Sequence, residues 1–381
     1  MNIAGREDIS EAVVQRGPID PWLLVTALLL VLVGEIMVFN TTYFYAFERF
    51  GQPFRFVWKH QVAVVLGVAS MIAVATLPSA VYRRLAYPLL AVAFFGLLVV
   101  FAPGIGHGGV HRWISLGPLN FQPSELAKGA VALYLAHSLT RKADRISDFL
   151  YGVLPHLLIV GLAIGLIVLE PDLGGAAVLC LMLLAFLVVC GARKAHLGLL
   201  FAGGLLFLIL GILAAPYRFN RVVAFLYPQE NKQTTGYQLN QSILAVGAGG
   251  LTGVGLGESR QKMKFLPEAH TDFVFAVIGE ETGLVGTSGV VALFALLGLR
   301  GLRVAVRHPH QFGRLLAFGC TFLLVGQAFL NMAVVLGLLP TKGLPLPFIS
   351  YGGSALIMTM VYTGVLLSLS RESVRENQTY V

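Results

Sequence analysis

Trp22-Leu-Leu-Val-Thr-Ala-Leu-Leu-Leu-Val-Leu-Val-Gly-Glu-Ile-Met-Val-Phe39 is an eighteen-residue run interrupted by a single charge, Glu35. A helix rises 1.5 Å per residue and the hydrocarbon core of a bilayer is about 30 Å thick, so a run of this length and composition reads as a membrane span. Nine more follow, near 57–77, 86–102, 123–139, 150–169, 173–190, 196–215, 272–299, 314–339 and 351–370. The pattern predicts an all-α integral membrane protein of about ten transmembrane helices.

Composition agrees. Of 381 residues, 56% are hydrophobic and 12% charged, about half the charged share of a soluble domain. Cys180, Cys190 and Cys320 all fall inside apolar runs and read as small core residues, with no disulfide framework. The polar first twenty residues carry Glu7, Asp8, Glu11 and Asp20, and no signal peptide is expected before the first span. The net charge of +8 fits cytoplasmic loops facing anionic headgroups and calls for no nucleic-acid partner.

Loop charge sets the orientation. Short basic loops contain Arg83 and Arg84, Arg141, Lys142 and Arg145, Arg193 and Lys194, and Arg300, Arg303, Arg307 and Arg314; Arg6, Arg16, Arg371 and Arg375 lie in the tails. The other side holds fewer outside its long loop: Arg49, Arg55, Lys59, Arg112, Lys128 and Lys342. Long loops weigh little in this comparison, so both termini are expected in the cytoplasm. The expected plan is a cytoplasmic tail over 1–21, one membrane domain over 22–370 with a large extracytoplasmic loop at 216–271 between helices seven and eight, and a cytoplasmic tail over 371–381.

That loop ends in Phe265-Leu-Pro-Glu-Ala-His-Thr-Asp-Phe273, which places Glu268, His270 and Asp272 at the mouth of an apolar helix. Acidic groups are costly at a membrane and point to function. Asp272 opens helix eight, where it reads as a cap, as a general base, or as both. Glu280 and Glu281 lie about two turns further in; at most one shares the Asp272 side, and an internal salt bridge explains them equally well. Upstream, Arg260, Lys262 and Lys264 read either as a solvated basic face or as phosphate ligands. The glycines at 247, 249, 250, 253, 255 and 257 match no dinucleotide or P-loop pattern, and no Walker motif exists elsewhere. They read as flexible backbone near a headgroup or as a hinge. Residues 218–227 and 238–248 read as short interfacial segments.

A second polar cluster spans His111 to Lys128. Pro123 after Gln122 suits a helix start. Glu125 and Lys128, three apart, share a face, so the lysine is paired either locally with Glu125 or across the bundle with Asp272. Trp113 suits an interfacial belt. Glu170-Pro-Asp-Leu-Gly174 reads as a turn with Asp172 as cap. Lys342-Gly-Leu-Pro-Leu-Pro-Phe-Ile-Ser-Tyr-Gly-Gly-Ser354 reads as re-entrant backbone, tolerated where protein packs around it or it lines a cavity.

Three segments, Arg112–Lys128, Phe265–Glu281 and Leu338–Ser354, resemble the SEDS family of shape, elongation, division and sporulation proteins, which includes RodA, FtsW and SpoVE. The likeness covers about 20–370, and the Leu-Pro-Thr-Lys-Gly and Ser-Leu-Gly-Pro-Leu runs look more like FtsW than RodA. The resemblance implies a peptidoglycan glycosyltransferase that polymerises lipid II at the outer face of the bacterial cytoplasmic membrane, in cell division at the septum or in elongation. It implies Asp272 as the essential residue, with Lys128 in the same central cavity. It also implies a class B penicillin-binding protein and divisome or elongation-complex proteins as partners. Substrate contacts are expected from Arg112, Trp113, Gln122, Ser124, Glu125, Arg260, Lys262, Glu268, His270, Lys342 and Ser350. Asp272 is expected either to take the proton of an acceptor hydroxyl or to hold a divalent cation, Mg or Mn, at the departing diphosphate. Two other readings fit a polytopic chain with an interior lysine: a lipid II flippase, and a scaffold without chemistry that recruits a synthase.

Overall fold

The computed structural model describes residues 17–102, 112–116, 119–213, 216–227, 230–231, 233–234, 236–341 and 343–372. Each of the ten apolar runs corresponds to a helix or helix pair: α1 (Pro21–Phe50), α2 (Arg55–Ala75), α3 (Ser79–Val99), α4 (Pro123–Arg141), α5 (Leu154–Leu169), α6 (Leu173–Val189), α7 (Lys194–Leu213), then three short helices α8 (Pro216–Leu226), α9 (Tyr237–Gly249) and α10 (Gln261–Lys264), then α11 (Val274–Arg307), α12 (Gln311–Thr321), α13 (Gln327–Val335) and α14 (Gly353–Arg371). A π-helical turn at Phe149–Val153 leads into α5, and another at Phe322–Gly326 joins α12 to α13. A two-stranded hairpin, β1 (Ile114–Leu116) and β2 (Leu119–Phe121), precedes α4 and has no counterpart in the sequence reading.

Among the described residues, eight helical stretches are long and apolar enough to cross a membrane. The other two runs fall short for different reasons. α6 is apolar but only 17 residues long. α4 carries Glu125, Lys128, His137 and Arg141; most of its residues are buried, packed by α3, α6, α12 and α14. A helix at the centre of a bundle meets protein instead of lipid, so it can hold polar side chains that an outer helix cannot.

Local chemistry fixes the helix ends. Asp20 caps α1 by accepting from Leu23 N, with Pro21 in the first turn, and Gly51 closes it at φ 66°. Asp172 caps α6 by accepting from Gly175 N at 2.9 Å. The expected cap at Asp272 is not formed. α11 starts at Val274 behind Phe273, which makes no side-chain cap bond, so the carboxylate of Asp272 stays clear of the helix amides.

The described ends of the chain and the turns at 76–78 and 308–310 meet at one end of the bundle. There Arg300 donates to both carboxylate oxygens of Asp20. Gly17 N donates to Arg371 O, and Glu372 accepts from Ser79 N and faces His308 at 3.4 Å. The opposite end gathers the helix starts of α4, α6, α11 and α14 with the described residues of the stretch between α7 and α11.

Candidate active site

Asp272 lies on the turn before α11 and is half-buried. Its carboxylate lines a cavity of about 280 Å³ at the end of the bundle away from the termini. Arg112, Asp172, Arg221, Gln238, Glu268 and Gly343 share that cavity. A Cβ on Gly343 would sit 2.9 Å from Asp272 Oδ2; the absence of a side chain there leaves room beside the carboxylate.

Backbone contacts set the position of Asp272. Asn331 of α13, buried at 1% exposure, donates through its amide to Asp272 O at 2.7 Å and to Leu344 O at 2.6 Å. Two carbonyls need an N–H₂ between them, which fixes the orientation of the amide. Ser350 Oγ donates to Thr271 O and accepts from Leu346 N at 2.8 Å, and Tyr351 N donates to His270 O at 2.9 Å. The segment 343–352 is thus non-helical, as expected, and is pinned against residues 270–272. Glu268 holds positive φ (55°), a costly conformation for a residue with a Cβ. Its carbonyl accepts from Thr271 N and Phe273 N, so the turn bearing Asp272 closes on it.

The electrostatics favour a proton-accepting role. Burial, then the charges of Glu268 and Asp172, push the Asp272 carboxyl up to about 7, against the pull of Arg112 and Arg221. Glu170, in the neighbouring turn, is fully buried with no hydrogen-bond partner among the described residues for either carboxylate oxygen. Burial, then Asp172, raises it to about 8, against Arg112. Arg112 donates to the backbone carbonyls of Glu170 and Pro171, which holds its guanidinium at the cavity wall.

The other predicted residues divide. Arg112 and Glu268 reach the cavity with Asp272. Lys128 does not: Nζ donates to Glu125 Oε1 at 2.8 Å and Gln327 Oε1 at 2.7 Å, so the local partner is the one realised, and Asp272 is not among its partners. Gln327 Nε2 donates on to Pro345 O at 3.0 Å, which makes Lys128 and Glu125 a support beneath the 343–350 segment. Ser124, fully buried, accepts from Gln122 Nε2 and donates to Asp172 at 3.4 Å. Trp113 lines a second cavity of about 210 Å³ with Lys59, His60, Asn120, Thr271 and Tyr351. His270 stacks on Tyr45 and contacts Phe56 and Tyr351, on the far side of its turn. Ser350 is a brace. Arg260 is exposed and outside the cavity lining, and Lys262 is buried. Lys342 lies outside the described residues. Sequence reasoning missed Arg221, Gln238, Gln327 and Asn331 as site residues. The signal for the last two was a carboxamide inside an otherwise apolar run.

Asp172, Glu268 and Asp272 line one cavity, yet no group of three His, Cys, Asp or Glu placed to hold a metal ion exists among the described residues. One carboxylate together with substrate phosphates is, however, an ordinary donor set for Mg²⁺.

A family model described as "Cell cycle protein", covering FtsW, RodA and SpoVE, matches residues 21–375. The chain belongs to this family. It is 43% identical over 353 residues to a "Probable peptidoglycan glycosyltransferase FtsW" of Geobacter sulfurreducens, covering 91% of this chain and 94% of that one. It is 38% identical over 359 residues to "Stage V sporulation protein E" of Bacillus subtilis, covering 93% and 97%. Among solved structures it resembles a chain from "Structural coordination of polymerization and crosslinking by a peptidoglycan synthase complex" (TM-score 0.77, 30% identity, 93% and 98% covered). It also resembles the rod shape determining protein RodA of Thermus thermophilus (TM-score 0.68, 28% identity, 94% and 98% covered). As a member of this family with eight helical stretches long and apolar enough to span, the chain is a multi-pass membrane protein.

Proposed function

We propose that this chain is a peptidoglycan glycosyltransferase that lengthens glycan strands from lipid II, with Asp272 as general base. The observation that carries the reading is a half-buried carboxylate held near pKa 7 in a cavity that also presents two guanidiniums, Arg112 and Arg221. A base works best when its pKa lies near the working pH. The acceptor sugar hydroxyl attacks the anomeric carbon of the lipid-linked strand. The new glycosidic C–O bond forms as the bond to the diphosphate breaks, inverting that carbon, and the hydroxyl proton passes to Asp272. Arg112 and Arg221 face the charge that develops on the leaving diphosphate. Were Asp272 instead to hold a Mg²⁺ or Mn²⁺, it would be a ligand and not the base, and the cation would supply Lewis-acid neutralisation of the leaving group.

The basic loops at the termini end favour a cytoplasmic position for that end, and the cavity would then open at the outer face, where the lipid-linked sugar resides. The FtsW-like relatives favour division, at the septum, over elongation, and the synthase-complex neighbour favours a crosslinking class B penicillin-binding protein as partner. The test is glycan-chain formation from purified lipid II by the full chain in lipid, with and without such a partner. The wild type forms polymer, and Asp272→Asn, folded and still bound to its partner, forms none. Polymer from the aspartate variant at the wild-type rate would remove Asp272 from the chemistry. Transport of lipid II across vesicles without polymerisation by the wild type would establish a flippase instead.

A further inference from the structure

The glycine-rich segment and the basic residue that follows it line neither cavity, yet they are built into the bundle. α11 is broken at Gly283, φ 63°. Residues 250–255 dock into the break: Val254 N donates to Glu280 O at 3.0 Å and Gly255 N to Glu281 O at 3.1 Å, while Leu284 N and Val285 N donate to Gly250 O and Leu251 O at 2.9 and 3.1 Å. The loop supplies backbone partners for helix groups around the break. A Cβ on Gly253 would lie 2.1 Å from Glu281 O, so the approach requires glycine.

Side chains then tie this loop down. Lys262 Nζ donates to Asn40 Oδ1 of α1, to Gly257 O and to Glu281 Oε1, at 2.5, 2.7 and 2.7 Å. Those three bonds use all three of its protons. Asn40 also donates to Glu281 Oε2, and Ser259 N donates to Glu281 Oε1. The side chains of Lys262 and Glu281 are 2% and 0% exposed. Glu281 lies about 10 Å along α11 from its start, a depth at which an unpaired charge would be expensive. Next to it, the Glu280 carboxylate accepts from Ser259 Oγ, Arg260 N and Gln261 N.

We propose that Lys262 is a positioning residue for glycosyl transfer. The Lys262–Glu281–Asn40 lock joins α1, α11 and the inserted loop, and it anchors the near end of the segment 263–273 on which Asp272 rides. Asn331 and Ser350 hold the far end. With both ends fixed, the carboxylate keeps one place relative to the cavity although nothing among the described residues donates a hydrogen bond to it. This proposal rests on the reading of Asp272 as the base.

The experiment compares wild type, Lys262→Met, Glu281→Gln and the double variant, each as the full chain in lipid with purified lipid II. Lys262→Met strands a buried carboxylate, and kcat falls about 10- to 100-fold, the scale of a small misplacement of a catalytic group, with KM held within about threefold. The double variant removes both charges together and returns kcat to within about threefold of wild type, because a buried pair is replaced more easily than it is broken. The pH dependence of kcat moves in the single variant and returns in the double. Wild-type kcat in Lys262→Met overturns the proposal. So does a folded double variant as impaired as Lys262→Met with a raised KM, which would make Lys262 a direct phosphate ligand. Should Lys262→Met fail to fold, Glu281→Gln, which loosens the same lock, decides: a kcat lowered about 10-fold with KM held supports the proposal, and wild-type kcat overturns it. If the wild type makes no polymer, or Asp272→Asn polymerises normally, the reading of the site falls and the lock falls with it.

Discussion

The carboxylates at the termini end and those in and beside the cavity are treated in opposite ways. At the termini end, Asp20 is gripped by Arg300 and also caps α1. Glu372 sits between Ser79 N and His308; burial would raise its carboxyl, but hydrogen bonds from His308 and Ser79 outweigh that and hold it at about 2. At the other end, burial drives Asp272 up to about 7 and Glu170 to about 8. Satisfied carboxylates fasten helices together. Buried carboxylates near other negative charges are instead held poised between protonation states, which is how enzymes place an acid or base. The carboxylates at the termini end therefore fasten the bundle, while those in and beside the cavity are left poised.

The contrast can be broken most directly at Asp272. Asp272→Asn lowers the rate of glycan formation by about 10²- to 10⁴-fold, the worth of a general base, and leaves the melting temperature near that of wild type. Rate and melting measured on the same preparation check both halves. Asp20→Ala at the opposite end does the reverse. It strands Arg300 and removes a cap, costing about 2 kcal/mol of stability, the scale of a charged hydrogen bond, while kcat per folded molecule is unchanged. A denaturation curve beside an activity assay separates the two effects.

Two gentler changes sharpen the comparison. Glu170 has a folded pKa raised from 4.5 to about 8, so its contribution to stability is full below its ordinary pKa and is lost as pH rises through about 8. Glu170→Gln accordingly matches wild type near pH 5 and is the more stable of the two above pH 8, which melting curves at the two pH values resolve. The smallest effect belongs to Glu268, whose charge helps hold the Asp272 pKa up. Glu268→Gln lowers that pKa. Activity of the ionised base then rises at a lower pH than in wild type, seen as an acid-ward shift of the rising limb of the pH–kcat profile.

Much of this was legible in the chain. Each apolar run falls in a helix or helix pair, eight of the described stretches being long and apolar enough to span; Asp172 and Pro123 mark helix starts, and the Gly/Pro-rich stretch is non-helical over 343–352. Other features were not readable. Lys128 offered two partners at comparable plausibility, and only the packing of α4 against α12, which continues into α13, put Gln327 in reach of it. His270, two residues from Asp272, was expected among the substrate contacts, but the turn sends it into an aromatic cluster with Tyr45, Phe56 and Tyr351. Lys262 read as a solvated or phosphate-binding cation because nothing in its neighbourhood tells that Asn40 and Glu281, far away in sequence, close around it.

What the sequence alone determined were the properties that depend on short-range periodicity and composition: that the chain crosses a membrane repeatedly, where its helices lie, and that its acidic residues at 268–272 stand at a helix mouth. The protonation poise of Asp272 and the duty of each lysine were decided by the tertiary structure. Both depend on which distant groups share a low-dielectric space, and desolvation and charge pairing act through distance in the fold, whatever the separation along the chain.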